Sequence, residues 1–281
     1  MSKPARDGVS VVIPAHNCAA ALDRVLPVWA STLANWNRQF EIVVVNDGST
    51  DDTASVLQKR ASVPNLRVIT HDARRGFGAC LRTALAEVKY PLFLYCGVDY
   101  PYLPADSRSM LDRIDLRDEV LGKQPDLISG ARAGSTRPFA VRALGGAWGL
   151  FWRVFAGLPL TDPQPWYGFG AALARARTKW VFGVPLADVH SAFKLYRTAF
   201  LKRFPIQSDG DFVHTELVAK ATFLTSIMDE VPLTPATVPL PALGALGSDR
   251  AKVFRDPQFA FPPQPQPPAP VPAEVPAPAA T

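Results

Sequence analysis

Residues 9–17 read VSVVIPAHN and residues 41–53 read EIVVVNDGSTDDT. Each opens with a β-branched run that is apolar at consecutive positions and closes on small and polar residues. A strand apolar on both faces belongs inside a sheet that is covered on both sides. Two further short runs, 66–69 and 92–95, have the same character as 9–14 and 40–45. Between these runs lie stretches with apolar residues recurring at three and four: 19–33, 51–59 and 77–88. Strand and helix in alternation imply an α/β fold around a mostly parallel sheet with helices on both faces. In the second helix, Ser49 or Thr50 is the expected cap, with Asp51 and Asp52 in its positive first turn.

Beyond residue 99 the pattern changes. The spacing predicts a helix over 104–117, a strand over 127–129 and a tryptophan-rich helix over 140–157. An aromatic segment follows, then ADVHSAFKLYR (187–197) as a helix or a strand-helix pair. FVHTELVAKATFL (212–224) reads as a helix and SIMDEVPL (226–233) as a closing strand. Residues 140–157 and 165–183 each end in aromatic-Gly-hydrophobic-Pro, a loose internal echo. From Pro257 onward, ten of 25 residues are proline, a composition that cannot build a core. The organisation expected is a lead at 1–8, one domain over 9–238, and a proline-rich unstructured tail over 239–281. Within the domain, 9–103 is the ligand-binding half and 104–238 the second half, carrying an aromatic-basic insertion at 139–183.

With 281 residues, 48% of them hydrophobic, the chain can bury a large core, which excludes wholesale disorder. Cys18, Cys80 and Cys96 stand apart in apolar stretches without a CxxC pair. They suit neither a disulfide framework nor a zinc site, and imply a reducing compartment. The N-terminal apolar run is too short for a signal segment, and no stretch is a continuous ~20-residue apolar span. The expected place is the cytoplasm. Net charge is +5, unevenly spread: 130–180 holds seven basic side chains against one acid, Asp162. Such a segment attracts phosphates. Nucleic acid is not the expected partner, because no helix-turn-helix, RNP or zinc-finger pattern accompanies the charge. Trp148, Phe151, Trp152, Phe155, Trp166, Tyr167, Phe169 and Trp180 interleave with arginines there, which fits a membrane surface; a helix packed on the core has the same periodicity.

In an open parallel sheet, ligands bind where strands end and helices begin. The first two such ends are Pro14-Ala15-His16-Asn17 and Asn46-Asp47-Gly48-Ser49-Thr50-Asp51. Asp47, directly after a buried strand, needs hydrogen-bond donors. A bound nucleoside would supply them; capping of the next helix is the structural alternative.

VSVVIPAHN, EIVVVNDGSTDDT and RRGFGACLRTAL resemble, in order and spacing, the nucleotide-binding half of the family 2 glycosyltransferases. LISGAR, DVHSAFKLYRTAF, DGDFVHTELVAKA and DEVPL are similar to the dolichol-phosphate mannose synthase-like branch, which loads polyprenyl phosphates. The resemblance covers roughly 9–234. It implies a GT-A-like fold, a GDP- or UDP-linked sugar donor, a polyprenyl phosphate acceptor and inversion at the sugar carbon. It places the nucleotide against Pro14, Ala15, Asn17, Asp47, Gly48, Ser49, Arg75, Gly76 and Val98. It implies that the protein works on the inner face of the plasma membrane as a peripheral protein.

The family's Asp-x-Asp, which holds a divalent metal on the donor diphosphate, is departed from here. Asp99 matches the second acid and Gly97 replaces the first. A lone carboxylate holds Mg2+ or Mn2+ weakly unless phosphates and water complete its shell, so the implied cation is weakly held or dispensable. At Cys18 the family carries an acid. These departures leave open a catalytically silent nucleotide-sugar-binding relative, or transfer to a soluble acceptor. By the resemblance Arg132 and Arg137, around SGARAGSTR, take the acceptor phosphate, with surface arginines as the alternative. Asp188 and Lys194 match the family's catalytic pattern in DVHSAFKLYR. Glu216 reads as a structural ion-pair partner, and His190 and His214 as structural histidines. A lipid phosphate is already largely dianionic at neutral pH, since its second pKa is about 6, and it needs charge neutralisation more than a general base.

Overall fold

β1 (Val9–Ala15), β2 (Phe40–Asp47), β3 (Leu66–His71), β4 (Leu92–Tyr95), β5 (Leu127–Arg132), β6 (Lys194–Arg197) and β7 (Met228–Leu233) form one sheet in the order β3-β2-β1-β4-β6-β5-β7. The computed structural model describes residues 6–36, 38–98, 103–118, 122–132, 186, 188–224, 227–233 and 249–260. β1 to β4 are mutually parallel, and β5 runs parallel to β7. β6 alone is reversed, antiparallel to both β4 and β5, with Lys194 opposite Tyr95 on one side and Ser129 on the other.

Side chains that alternate along these strands feed two apolar layers. Val9, Val11 and Ile13 of β1 and Ile42 and Val44 of β2 pack with Leu22, Leu26 and Trp29 of α1 (Ala19–Ala34), Leu57 of α2 (Thr53–Lys59) and Met110 and Ile114 of a later helix, Ser107–Asp115. Val12, Val43, Phe93 and Tyr95 face the other way, against Leu81 and Ala84 of α3 (Phe77–Glu87). The Ser107–Asp115 helix is α4; it follows a 3-10 turn, Pro104–Asp106. α5 (Thr198–Leu201) and α6 (Val213–Phe223) complete the second layer. Each fully buried Leu or Ile contributes roughly 1.5–3 kcal/mol. α6 is buried around its whole circumference from Val213 to Ala221, which is why its sequence lacks a polar stripe.

Three strands run further than their apolar letters. β2 continues through Asp47, β3 through His71 and β5 through Arg132, because the parallel ladder carries on between polar residues, Asp47 pairing with His71. α2 begins at Thr53 with Asp52 at its cap position making no cap bond; Asp51 Oδ1 accepts the Thr53 N–H, and Ser49 and Thr50 bond elsewhere. DVHSAFKLYR folds as a turn, then β6, then α5. The expected unstructured tail is corrected over 249–260: Asp249–Arg255 forms α7, and Gln258 and Ala260 donate backbone hydrogen bonds to the Gln207 side chain and the Arg203 carbonyl. An acid at its first turn and Lys252 and Arg255 in its last favour this helix. The tryptophan-rich 140–157 and the rest of the 139–183 insertion lie outside the described residues.

Candidate functional site

From β1 the chain steps outward to β2 and β3, then returns to lay β4 on the opposite flank. The loops after β1 and β4 therefore diverge, and a crevice opens between them. A cleft of about 680 Å3 lies there. Its walls are Pro14 to Ala21 with Arg24, then Asp47, Asp51, Arg74, Gly76, Phe77 and Cys80, then Gly97 and Val98, and Asp211 from the loop before α6.

The loops after β1 and β2 are stitched into a single wall. Asn17 takes the left-handed conformation (φ 49°), and its Oδ1 accepts from the Thr50 N–H at 2.8 Å. The Asn17 N–H donates to Ser49 Oγ at 3.1 Å, His16 Nδ1 to the Asp47 carbonyl at 2.8 Å, and the Cys18 N–H to Thr53 Oγ1 at 3.0 Å. Asp51 accepts from the Ala19 and Thr53 N–H groups. Asn17 and Ser49, two of the residues expected at a nucleotide, thus hold each other. Gly48 makes the turn: its φ is +59°, and a Cβ there would lie 2.4 Å from the Ala73 carbonyl carbon, so the β2 tip is pressed against the β3–α3 loop.

Asp47 is 3% exposed, and its carboxylate is spent inward. Oδ1 accepts from His71 Nδ1 at 2.7 Å and the Arg75 N–H at 2.8 Å; Oδ2 accepts from the Gly76 N–H at 2.7 Å. Burial pushes this acid's pKa up, yet the bonds from His71, Arg75 and Gly76 outweigh it and hold the group below the usual carboxylate range. The side chain ties down the turn into α3 and does not cap α2. Arg75 contributes its backbone there, while Arg74 lines the cleft.

Asp47, His71 and Cys80 offer ligand atoms within 4.8 Å of one another. A nitrogen, sulfur and oxygen set suits a soft ion such as zinc better than Mg2+ or Mn2+. Two ligands at ~2 Å in a tetrahedral shell stand about 3.3 Å apart, wider than the 2.7 Å between His71 Nδ1 and Asp47 Oδ1. His71 Nε2 is taken by Thr83 Oγ1 at 2.9 Å, and burial, with the Asp47 charge, pushes the Cys80 thiol up to about 12. The cluster as built is a proton-bearing hydrogen-bond network and does not fit the divalent cation of a diphosphate.

The loop 205–212 closes the α3 side. A Cβ on Gly78 would stand 2.1 Å from the Ser208 carbonyl oxygen, and the Gly78 N–H donates to the Asp209 carbonyl at 2.8 Å. Below this loop, Glu216 accepts from the Gln207 and Ser208 N–H groups and from Lys220 Nζ, at 2.8, 2.8 and 2.7 Å. Lys194 is wholly buried; its Nζ donates to the carbonyls of Val189 and Ser191. Asp188 is also buried, and its N–H donates to Glu230 Oε1. His214 stacks on Tyr95, and its pKa is driven well below the usual histidine value by burial and then by the charges of Lys194 and His190.

Of the residues read from sequence, Pro14, Ala15, Asn17, Asp47, Gly76 and Val98 line the cleft together. Gly48, Ser49 and Arg75 support it from behind. Asp188 and Lys194 sit in the interior under β6. Asp99 and Arg137 lie outside the described residues, and Arg132 ends β5. Sequence reading missed Arg24, Arg74 and Asp211. Arg24 follows Ala20 by one helical turn, on the face that α1 shows to the loop, and that spacing was the available signal.

The profile described as "Glycosyl transferase family 2" matches residues 10–152, just over half of the 281-residue chain. The chain belongs to glycosyl transferase family 2. Among curated relatives of this chain, the undecaprenyl-phosphate 4-deoxy-4-formamido-L-arabinose transferase of Edwardsiella ictaluri is 28% identical over 116 residues, 41% of this chain and 36% of the relative. The dolichyl-phosphate beta-glucosyltransferase of Saccharomyces cerevisiae is 24% identical over 240 residues, 80% of this chain and 66% of the relative. The match thus spans about a third of the arabinose transferase's length. The glucosyl-3-phosphoglycerate synthase of Mycobacterium tuberculosis has a similar solved structure, with a TM-score of 0.58 at 19% identity, covering 88% of this chain and 78% of that one. Its complex with Mg2+ and UDP gives 0.57 at 18%, covering 88% and 77%. That likeness gives the chain a GT-A type fold. No helix among the described residues is long and apolar enough to cross a membrane.

Proposed function

We propose that this chain moves a sugar from a nucleoside diphosphate sugar, GDP- or UDP-linked, to a polyprenyl phosphate at the cytoplasmic membrane face, with inversion at the sugar carbon. The observation that carries this reading is the cleft at the β1/β4 divergence. The exposed cations Arg24 and Arg74 open onto it, beside an α1 N-terminus whose Cys18 and Ala19 N–H groups are held by Thr53 Oγ1 and Asp51. Guanidinium groups are what a diphosphate requires, both on binding and as the bond to the sugar breaks. The names of the two polyprenyl-phosphate relatives support the acceptor class.

In this reading Asp47 acts through the chain it pins, keeping Arg74 and the start of α3 in place around the nucleotide. Pro14, Ala15 and Val98 supply the apolar faces for the base and ribose. Asp188 and Lys194 set the course of residues 188–194 from beneath, while Asp99 would hold a divalent cation, which would supply positive charge at the leaving diphosphate. Arg132 and Arg137 take the acceptor phosphate.

The test is to incubate the purified chain with labelled GDP- and UDP-sugars, undecaprenyl phosphate in detergent, and Mn2+ or EDTA, and to separate the products by chromatography. Label in the lipid fraction is expected, reduced but not abolished by EDTA. Label moving only to a water-soluble acceptor refutes the lipid assignment. Nucleotide binding without transfer to any acceptor makes the chain a binding protein, the reading that Gly97 favours.

A further inference from the structure

Three acids line the cleft, and two are already committed. Asp47 accepts from His71, Arg75 and Gly76, and Asp51 from Ala19 and Thr53. The carboxylate of Asp211 is exposed and has no hydrogen-bond or ionic partner among the described residues.

Its backbone, in contrast, is held from several directions. The Asp209 carbonyl takes the Gly78 N–H. Arg82 binds the Ile206 carbonyl and the Asp209 carboxylate. Asp249 of α7 accepts from the Asp209 and Gly210 N–H groups at 3.2 and 2.9 Å. The neighbouring Phe212 is buried edge-on against Phe254 of α7, with ring centroids 5.5 Å apart. A carboxylate on a backbone held this way has only its own two side-chain torsions to order when a ligand arrives, so a bond to it costs little entropy. Its charge repels the oxygens of a diphosphate, and those oxygens already have Arg24 and Arg74 to go to. Hydroxyl groups are the part of a sugar nucleotide that a carboxylate welcomes, since two neighbouring hydroxyls can donate to its two oxygens.

We infer that Asp211 accepts hydrogen bonds from hydroxyls of the sugar being transferred, and thereby grades donors by their hydroxyl pattern. This rests on the reading of the cleft as a nucleoside diphosphate sugar site. Calorimetry on the full chain tests it, with UDP, GDP, UDP-glucose and GDP-mannose titrated into wild type, Asp211→Ala and Asp211→Asn, each with and without Mn2+. Asp211→Ala is expected to weaken the preferred sugar nucleotide by about 10- to 100-fold, the range of hydrogen bonds to a charged group. The matching nucleoside diphosphate should change by less than about 2-fold, on the basis that uniform effects of one exposed charge are small. Asp211→Asn should fall between, since an amide keeps one acceptor. Unchanged sugar-nucleotide affinity overturns the inference, and so does an equal loss for the bare diphosphate. A loss for the diphosphate seen only with Mn2+ would make Asp211 a cation ligand and also overturn it. Wild type that binds none of the four removes the cleft reading itself, and the inference with it.

Discussion

The β3-β2-β1-β4 side of the sheet and the β6-β5-β7 side use charge in opposite ways. On the first side the strand middles are apolar and ionisable groups gather at the strand ends: Glu41 is buried at the start of β2, while at the cleft end Asp47 and Asp51 are consumed by loop N–H groups and Arg24 and Arg74 stay exposed. On the second side, charge lies inside the fold: Lys194, Asp188, Glu216 and Lys220 are all buried, with Lys194 bonded to main-chain carbonyls and Glu216 and Lys220 to the main chain of 205–208 and to each other. Such a device at the far end of the apolar half is Glu41, which accepts from Ser10 Oγ, the Lys89 N–H and Arg67. The other half has to hold irregular chain at 188–193 and 204–212, whose unpaired backbone groups take buried side chains as partners. Charged residues inside a family motif therefore divide into those that meet ligand and those that substitute for a missing ladder.

The comparison breaks most readily at Glu216. Glu216→Leu leaves Lys220 charged in the interior without its counter-ion, keeping only the Pro205 carbonyl and Gln207 Oε1 as partners, and should cost about 3–5 kcal/mol in urea unfolding. The double change with Lys220→Met should recover most of that loss, and a double variant as unstable as the single one would deny the pair its role. Next comes Asp47→Ala, which strips partners from the Arg75 and Gly76 N–H groups and from His71, at about 2 kcal/mol by the usual cost of unsatisfied donors. Because the folded carboxyl is held below its unfolded pKa, Asp47 stabilises the fold above roughly pH 4, and this is lost as pH falls through the folded value. The variant should accordingly show a shallower acid limb, and an unchanged limb would mean that the network does not favour the charged form.

His214 sharpens the comparison in the other half. Its folded pKa is depressed, so below roughly pH 6.5 the unfolded chain takes up the proton first and stability declines until the folded value is reached. The urea midpoint of wild type should fall between pH 7 and 5, by at most about 1.4 kcal/mol per pH unit from this group. His214→Gln should flatten the slope. Smallest of all is Arg108→Ala, which removes an exposed pair with Asp112 at 3.7 Å and should change stability by less than about 0.5 kcal/mol.

The apolar half was legible because its signal is local: VSVVIP and EIVVV can be little but doubly covered strands, and their order places the crevice. The pocket residues were legible only as segments. Nothing in NDGST says that Ser49 turns to Asn17, or that Asp47 reaches 28 residues forward to the Arg75 N–H, since both partners are set by how two loops stack in space. Lys194 and Asp188 stood in a motif whose letters do not reveal depth, and the structure buries both. Asp211 and α7 were missed for a related reason. The proline count from 257 onward drew 249–256 into the tail, and the contact with Asp209 and Gly210 joins residues about 40 positions apart.

The reversed strand has a consequence for evolution and for engineering. β5 ends and β6 begins on the side of the sheet where β1 and β4 end, because β6 runs antiparallel to both β4 and β5. A stretch exchanged between the end of β5 and residue 188 therefore joins two strand ends on one side of the sheet without rethreading any strand. A chimera that exchanges this stretch between relatives should keep its sheet, and in the proposed reading it changes the acceptor side alone.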